Sequence, residues 1–441
     1  MGVGKQNTHQ TTTGQSAGPL DNLASEDLDC VGHNHLHCVW QRPAQPEGRK
    51  RLHPFSSSRA FWRVVLGFTA LTLGLVVTYV ATRGTVTVEK MASAGPHGVG
   101  YRRTLVRDSQ RDRRAVPVDC WYPIHRKSVE GRRAFYVFAK TPFKNLGLLS
   151  TTAVQHAAAE FPQSMTLIIF SHGYRGSSIE SVRLMETLAS HGFIVMAPMH
   201  RDSPASGAPQ SALGEREKEI CDRVADVRCV LRTATQILPQ SSSNGQPFEV
   251  AAFGLVGDSR GAATILSVAA EHGPTANPPL KAVMLIAPAQ PASGVPGTLA
   301  SITTPTLLVG GTLDTVTPVA ANVVNLFRGL GSQPVYCLVI EGASHFHFMN
   351  IKDIGEAMIS LGLPKWLWPW IGARALTKPY EACIDPASES VGIVQTTLSR
   401  YGSAFFRRHL LGQHDTEDIL SSVLASQASG TITLQVRANR Q

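Results

Sequence analysis

The sequence FGLVGDSRGAA, at residues 253–263, indicates the fold and the chemistry of the chain most directly. An apolar run leads into the pattern Gly-x-Ser-x-Gly, and the small residues that follow are typical of a helix packed closely on a strand. In this strand–turn–helix context the pattern predicts a nucleophile elbow, a sharp turn that lifts a serine hydroxyl above the sheet. In a loop without a strand before it and a helix after it, the same pattern would be weak evidence for a catalytic serine. Ser259 is therefore our candidate nucleophile.

Two further residues could activate this serine. A serine hydroxyl is a weak nucleophile at neutral pH, so it needs a general base that is oriented by an acid. On this type of sheet the acid and then the histidine follow the serine, each after a later strand. Asp314 follows the apolar run TLLVGG, and His345 follows the run VYCLVI. His347 is an alternative base, but the position directly after the glycine-containing turn favours His345.

Two backbone N–H groups are candidates for binding the oxyanion that forms when an acyl group is attacked. One belongs to Arg260, directly after the serine. The other is expected in an early strand-to-helix loop, where SHGYRGS at residues 171–177 follows an apolar strand. We assign it to Tyr174. The predicted reaction needs no cofactor and no metal.

The pattern around these residues predicts an α/β fold. Apolar runs alternate with helical patterns, which favours a mainly parallel sheet covered by helices on both faces. The predicted strands are residues 116–122, 134–139, 166–170, 193–197, 250–256, 282–287, 306–309 and 335–340. The predicted helices are residues 178–191, 215–238, 262–271 and 319–330.

The net charge of +9 is unevenly distributed along the 441 residues. Residues 83–133 carry a net +7 and residues 1–63 a net +2, whereas residues 134–441 are neutral. The basic run at residues 102–114 has no interleaved aromatic residues and no groove-binding motif, which argues against a nucleic-acid partner. We expect this run to face anionic lipid head groups instead.

That expectation rests on residues 64–82, nineteen residues without a charge. An apolar stretch of this length predicts a single transmembrane helix, with a membrane as partner. Five basic residues in the twenty before it, against three in the twenty after it, favour a cytoplasmic N-terminus, with the catalytic domain on the opposite side. The predicted divisions are a disordered tail at 1–63, the helix, a basic linker at 83–100, a catalytic domain at 101–415 and a C-terminal tail at 416–441.

Two unusual segments remain. CVGHNHLHC, from Cys30 to Cys38, offers soft metal ligands, but its spacing matches no known zinc module and short histidine-rich tracts are common. KWLWPWI, at residues 365–371, holds half of the six tryptophans. It favours a packing cap over the sheet, with a lid or an interfacial anchor at a membrane as the alternative.

Several motifs together resemble the α/β-hydrolase superfamily. These are VDCWYP, FSHG, SHGFIV, HRD, the elbow and GASHF, which span residues 118–346. Within the superfamily the chain is similar to platelet-activating-factor acetylhydrolases and dienelactone-hydrolase-like esterases. The resemblance implies hydrolysis of an ester through an acyl-enzyme, with the oxyanion N–H after His-Gly falling on Tyr174.

The leading hypothesis is a membrane-anchored serine esterase that hydrolyses a phospholipid or another lipid ester. The alternatives are a general carboxylesterase or polyester hydrolase of the same superfamily, and a catalytically silent membrane receptor. Asp258, Arg260 and Arg175 depart from the usual family pattern. The two arginines could select an anionic substrate, or they could both face solvent.

Overall fold

The computed structural model of the chain describes residues 59–82, 86–87, 95–125, 132–140, 145–158, 164–206, 216–237, 249–273, 275–290, 299–371, 373–421 and 432–438. The helices are α1 Arg59–Thr82, α2 Val182–Ser190, α3 Arg216–Ile237, α4 Arg260–Glu271, α5 Val323–Gly329, α6 Ile351–Ser360, α7 Arg374–Cys383 and α8 Val391–Leu411. The strands are β1 Val86–Thr87, β2 Gly98–Asp108, β3 Arg114–Ile124, β4 Arg133–Lys140, β5 Asn145–Gln155, β6 Ser164–Ser171, β7 Ile194–Pro198, β8 Glu249–Asp258, β9 Leu280–Ile286, β10 Thr306–Gly311, β11 Val335–Ile340 and β12 Ile432–Arg437. The predicted disordered tail up to residue 58, with its Cys30–Cys38 segment, lies outside the described residues.

These strands form one sheet in the order β1-β5-β2-β3-β7-β6-β8-β9-β10-β11-β12, with β4 paired to β5. From β7 to β11 every neighbouring pair is parallel. The carboxyl ends of β6, β8, β10 and β11 therefore meet at one edge of the sheet, where the candidate site residues follow them. The predicted mainly parallel α/β sheet is confirmed in this central part.

Helices cover both faces of the sheet because its central strands are apolar on both faces. Successive residues of β6 belong to different cores: Ile168 packs with α2 and α8, and Ile169 packs with α3, α4 and α5. The sheet and both cores lie within the unit formed by residues 66–441. This double covering fixes the strand ends on which the site residues stand.

Four strands of the sheet were missing from the sequence prediction. The strands β1, β2 and β5 extend it on one side; β1 and the start of β2, at Gly98, lie inside the segment predicted as a linker. On the other side β12, from the segment predicted as a C-terminal tail, pairs antiparallel with β11. The folded unit therefore extends in both directions beyond the predicted limits of 101 and 415.

The helix predicted at residues 64–82 is present and begins earlier, at Arg59. Of the residues that the structure describes, no helix combines the length and the apolar character that a membrane crossing requires. The predicted transmembrane span, and the orientation derived from it, therefore have no support in the structure.

The basic run lies largely on β2 and β3, where several arginines have partners inside the protein. The guanidinium of Arg103 lies 2.7 Å from Asp119, and that of Arg111 lies 2.6 Å from Asp226. Both carboxylates are fully buried. Because Asp226 belongs to α3, the Arg111 pair fastens the β2–β3 hairpin to that helix. These arginines help to hold the fold together, which reduces the basic surface predicted for a membrane.

The tryptophan-rich segment has one buried and two exposed tryptophans. Trp368 is fully buried, packs against Tyr380 and donates its indole N–H to the carbonyl of Leu363. In contrast, Trp366 and Trp370 are 73% and 83% exposed. The segment is therefore anchored by one tryptophan and presents the other two to solvent.

We expect Gly261→Ala to destabilise the protein by about 3 kcal/mol, because a methyl group there would lie 1.9 Å from the backbone oxygen of Ser171. Neither the backbone of Gly261 nor that of Ser171 can move away without displacing the turn at Ser259. Urea unfolding would measure the loss. Gly273→Ala is the matched control, since its methyl group would meet nothing within 4 Å. Equal unfolding midpoints for the two variants would contradict this account.

Candidate active site

Ser259, His345 and Asp314 converge at the carboxyl edge of the sheet, as the sequence analysis predicted. Ser259 follows β8, Asp314 follows β10 and His345 follows β11. The His345 Nε2 atom lies 3.1 Å from Ser259 Oγ, and the His345 Nδ1 atom lies 2.8 Å from Asp314 Oδ2. The histidine therefore bridges the hydroxyl and the carboxylate through its two ring nitrogens, the arrangement required to move a proton off a serine.

Ser259 has the backbone conformation of an elbow. Its φ of +52° lies in the left-handed region that side chains other than glycine rarely adopt. The turn is held on both sides of the residue: its N–H donates to Ile286 O, and its C=O accepts from Ala262 and Ala289. Such strain persists only where the surroundings determine it, and it is common at active sites.

Asp314 is held as a carboxylate. Burial opposes its ionisation, but hydrogen bonds from His345 and Thr317 outweigh that effect and lower the pKa below its ordinary value. The N–H groups of Val316 and Thr317 and the hydroxyl of Thr317 also donate to it. A charge fixed by this many donors keeps its orientation toward the histidine. Thr317 was not predicted, because only the folded loop brings its hydroxyl 3.1 Å from His345 Nδ1.

The alternative base, His347, points elsewhere. Its Nδ1 atom lies 2.7 Å from Ser344 Oγ, and its Nε2 atom contacts Ser388 and the carbonyl of Glu389. These bonds fix the loop that follows β11 and leave His345 as the histidine next to Ser259. Among the described residues, no cluster of His, Cys, Asp or Glu is arranged to hold a metal ion.

A second set of serine, histidine and aspartate has similar distances. Ser171 Oγ lies 2.9 Å from His200 Nε2, and His200 Nδ1 lies 3.0 Å from Asp226 Oδ2. All three side chains are 0% exposed, whereas Ser259 is 9% exposed. Burial and the nearby Arg223 charge also lower the pKa of His200. Ser171 is too deeply buried for a substrate to reach it, so these three residues form a structural hydrogen-bond network that links β6, β7 and α3.

The two predicted oxyanion donors lie on neighbouring elements. Tyr174 follows β6 and Arg260 follows Ser259, and β6 pairs directly with β8 in register Ser171↔Gly257. Within the described part of the chain, neither of the two N–H groups donates to a protein oxygen. Both donors are thus available to a ligand next to Ser259 Oγ.

The side chain of Arg260 is already paired with other residues of the protein. Its guanidinium lies 4.5 Å from the centre of the Tyr174 ring and 3.4 Å from Glu219. The ion pair offsets the positive charge, and the cation–π contact holds the tyrosine ring over it. This corrects one of the expectations from the sequence: Arg260 supports the loop that carries Tyr174 and is not a free anion-binding group.

Two buried acids lie behind the elbow, and the sequence analysis did not pair them. Burial and the charge of Glu180 raise the pKa of Asp258 well above its usual range. No other group in the described chain donates to the carboxyl oxygens of Asp258. Glu180 accepts the N–H groups of Gly173 and Ser177, yet burial raises its pKa to about 7. The pair therefore retains a proton near neutral pH.

This pair should make stability depend on pH. The pKa of Glu180 is higher in the folded state than in the unfolded state, so the folded state holds its proton more tightly. The unfolding free energy of the protein therefore falls by about 3 kcal/mol as pH rises through 7. Asp258→Asn removes the like charge. We expect its unfolding free energy, relative to wild type, to rise by about 1–2 kcal/mol from pH 5 to pH 8 in urea titrations.

The control for this experiment is Asp418→Asn, at an exposed position far from any buried acid in the sequence. Its difference from wild type should be the same at both pH values. A pH-independent difference for Asp258→Asn as well would show that the two carboxyl groups do not share a proton.

Comparison with known proteins agrees with this geometry. The sequence model of a family described as PET hydrolase-like matches residues 152–374, half of the chain. The matched region includes Ser259, Asp314, His345 and both candidate oxyanion donors.

Two individual relatives are also similar. Cutinase 1 from Thermobifida cellulosilytica is 26% identical over 211 residues, which cover 46% of this chain and 70% of that protein. The structure of a ferulic acid esterase from Streptomyces cinnamoneus superposes with a TM-score of 0.55 at 20% identity, covering 80% of this chain and all of the other. The second likeness concerns the fold. The chain belongs to the PET hydrolase-like family of α/β-hydrolase serine esterases.

Proposed function

We propose that the protein hydrolyses the ester bonds of polyester-like substrates through an acyl-enzyme on Ser259. The observation that carries the proposal is the hydrogen-bonded relay from Ser259 Oγ through His345 to Asp314 at a strained elbow. The family match and the cutinase relative support a polyester more than the acetyl-phospholipid of our leading sequence hypothesis. Membrane attachment forms no part of the proposal.

The geometry supports the following acylation step. His345 Nε2 takes the proton from Ser259 Oγ as this oxygen bonds to the ester carbon, and the carbonyl electron pair moves onto oxygen. The N–H groups of Tyr174 and Arg260 stabilise that oxyanion, and Asp314 stabilises the positively charged ring. When the C–O bond to the alcohol breaks, His345 returns the proton to the leaving oxygen.

Deacylation uses the same groups in reverse. A water molecule gives a proton to His345 Nε2 and attacks the acyl carbon, and a second oxyanion forms against the same two N–H groups. Collapse of this intermediate releases the carboxylic acid and returns the proton to Ser259 Oγ. Each cycle consumes one ester bond and one water molecule.

Exposed apolar side chains support a hydrophobic substrate with little charge. Tyr174, Leu313 and Val316 are 50%, 44% and 55% exposed, and they lie on the loops that carry an oxyanion donor and Asp314. Arg260, which could have bound an anionic head group, is paired with Glu219. An apolar rim beside the nucleophile suits a chain of neutral esters better than a phospholipid head group.

The test is a comparison of substrates with the purified protein. We expect hydrolysis of short p-nitrophenyl esters and release of soluble acids from an aromatic or an aliphatic polyester film, with slower turnover of an acetylated phospholipid. Faster turnover of the phospholipid would restore the lipid-esterase hypothesis and overturn this proposal. Failure to hydrolyse any ester, together with no labelling by a fluorophosphonate probe, would favour the catalytically silent alternative.

A further inference from the structure

Arg223, on α3, is one of the largest fully buried side chains and has no place in the reaction described above. Its Nη1 atom donates to the carbonyl of His172 over 2.7 Å. Its Nη2 atom donates to the carbonyl of Gly173 over 2.8 Å and to Asp202 Oδ2 over 2.6 Å. Burying a guanidinium is costly unless it is paired; here both terminal nitrogens donate hydrogen bonds, and Nε lies 3.4 Å from Glu219 Oε1. The two carbonyl acceptors lie directly before Tyr174, and Asp202 follows β7.

The contact with Gly173 bears on the oxyanion donor through covalent geometry. The carbonyl of Gly173 and the N–H of Tyr174 belong to one peptide group, which is planar and trans, so they point in opposite directions. A bond that fixes the direction of the Gly173 oxygen therefore fixes the direction of the Tyr174 N–H. The positively charged guanidinium that donates to this oxygen also polarises the peptide group, and this strengthens the Tyr174 N–H as a donor.

The peptide group on the other side of Tyr174 is held by the same ion pair. The N–H of Arg175 donates to Asp202 Oδ2 over 2.8 Å. Burial opposes the ionisation of Asp202, but the charge of Arg223 outweighs it and lowers the pKa to about 2. The ion pair of Arg223 and Asp202 thus brackets Tyr174 and holds Arg175 in a left-handed conformation with φ of +55°.

The second donor does not depend on Arg223. The N–H of Arg260 shares its peptide group with the carbonyl of Ser259, which accepts from the N–H groups of Ala262 and Ala289. Among the described residues, the guanidinium of Arg223 donates no hydrogen bond to that turn, and it is linked to the Arg260 side chain only through Glu219, which lies 3.4 Å from both arginines. Loss of Arg223 should therefore weaken one of the two donors and leave the other in place.

We propose that Arg223 is a positioning residue for the transition state, which aims the Tyr174 N–H at the oxyanion by holding the Gly173 carbonyl. This inference rests on the proposed function. It assigns the arginine a part in the reaction, beyond that of a buried ion pair that only supports the fold.

The test compares Arg223→Met, Arg223→Lys and wild type on a soluble p-nitrophenyl ester. We expect kcat of the methionine variant to fall by about 10- to 100-fold with little change in KM. The loss is smaller than the usual effect of removing an oxyanion donor outright, because Gly176 N–H and His172 Nδ1 still contact the Gly173 oxygen, at 3.1 and 2.8 Å. Lysine keeps the charge but cannot donate in the forked geometry of a guanidinium, so its kcat should lie between the other two.

A trifluoromethyl ketone analogue of the ester separates positioning from simple stability. Its adduct with Ser259 places an oxyanion in the same hole, so its inhibition constant should rise by the same factor as kcat/KM falls. The carboxylic acid product does not form this oxyanion, and its affinity should stay within about threefold of wild type. If Arg223 only stabilised the fold, the inhibition constant of the ketone would not rise in parallel with the fall in kcat/KM.

Val227→Ala is the matched control, because Val227 is fully buried one turn further along α3, in the core beneath the sheet. It should lower the unfolding free energy and leave kcat unchanged. If Arg223→Met does not fold, the same kinetic constants are compared between Arg223→Lys and wild type. Wild-type kcat in a folded Arg223 variant would overturn this inference alone, whereas an inactive and unlabelled wild type would overturn the proposed function.

Discussion

Replacing Ser259 by alanine is expected to lower kcat for a p-nitrophenyl ester by about 10⁴-fold or more and to abolish labelling by a fluorophosphonate probe. Alanine removes the oxygen that lies 3.1 Å from His345 Nε2 and leaves no atom to form the acyl-enzyme. The oxyanion donors remain, so a small residual rate above the uncatalysed reaction is consistent with the proposal. Steady-state kinetics and mass spectrometry of the labelled protein measure both effects.

Two further serine variants make this result specific. Ser267→Ala changes a buried serine on α4 whose hydroxyl donates to the backbone carbonyl of Ala263, and it should keep normal activity. Ser171→Ala removes the hydroxyl of the buried serine–histidine–aspartate set and should keep the label on Ser259. Loss of labelling in Ser171→Ala with retention in Ser259→Ala would move the nucleophile to Ser171 and contradict the assignment.

Asp314→Asn is expected to lower kcat by about 10³- to 10⁴-fold with a small change in KM. The amide has the shape of the carboxylate, but it carries no charge to stabilise the histidine ring when the ring takes the serine proton. It can also present an NH₂ group to His345 Nδ1, which favours the tautomer with its proton on the wrong nitrogen. Measurement of kcat and KM at pH 8 tests this.

The variant Thr317→Val provides the comparison for Asp314→Asn. It removes a hydroxyl that donates to Asp314 and leaves the charge in place, so we expect a loss of about tenfold. Circular dichroism should show both variants folded. Equal activity of Asp314→Asn and wild type would show that this aspartate does not serve His345.

The sequence predicted the central half of the sheet and the residues that converge on it, for a physical reason. Ser259, Asp314 and His345 each follow a continuous apolar strand, and the carboxyl ends of parallel strands meet at one edge. The order along the chain then determines which side chains come together. Local patterns of this kind need no knowledge of distant contacts.

The outer strands could not be predicted in the same way. The strand β2 carries three arginines in its eleven residues, so it lacks the continuous apolar run from which the central strands were predicted. The partners of Arg103 and Arg111 come from other elements and are seen only in the fold. The strand β12, ITLQVR, alternates apolar and polar residues and so lacks the continuous apolar run of the central strands; it lies at the edge of the described sheet, paired with β11.

Arg223 shows the same limit within the site. It lies in a helix that begins REKEICDR, where a charged residue is ordinarily expected on a solvated face. Nothing local distinguishes it from Arg228, which forms a partly exposed pair with Glu271. Its role depends on carbonyl groups about fifty residues earlier in the chain.

The direct pairing of β6 with β8 has a consequence for how such enzymes diverge. The register Ser171↔Gly257 brings the ends of β6 and β8 side by side, and this part of the donor geometry is a property of the backbone ladder. Mutations can accumulate in the loops that follow both strands while this placement of the strand ends is inherited intact. Substrate preference can therefore change through these loops without rebuilding the strand ends that carry the reaction centre.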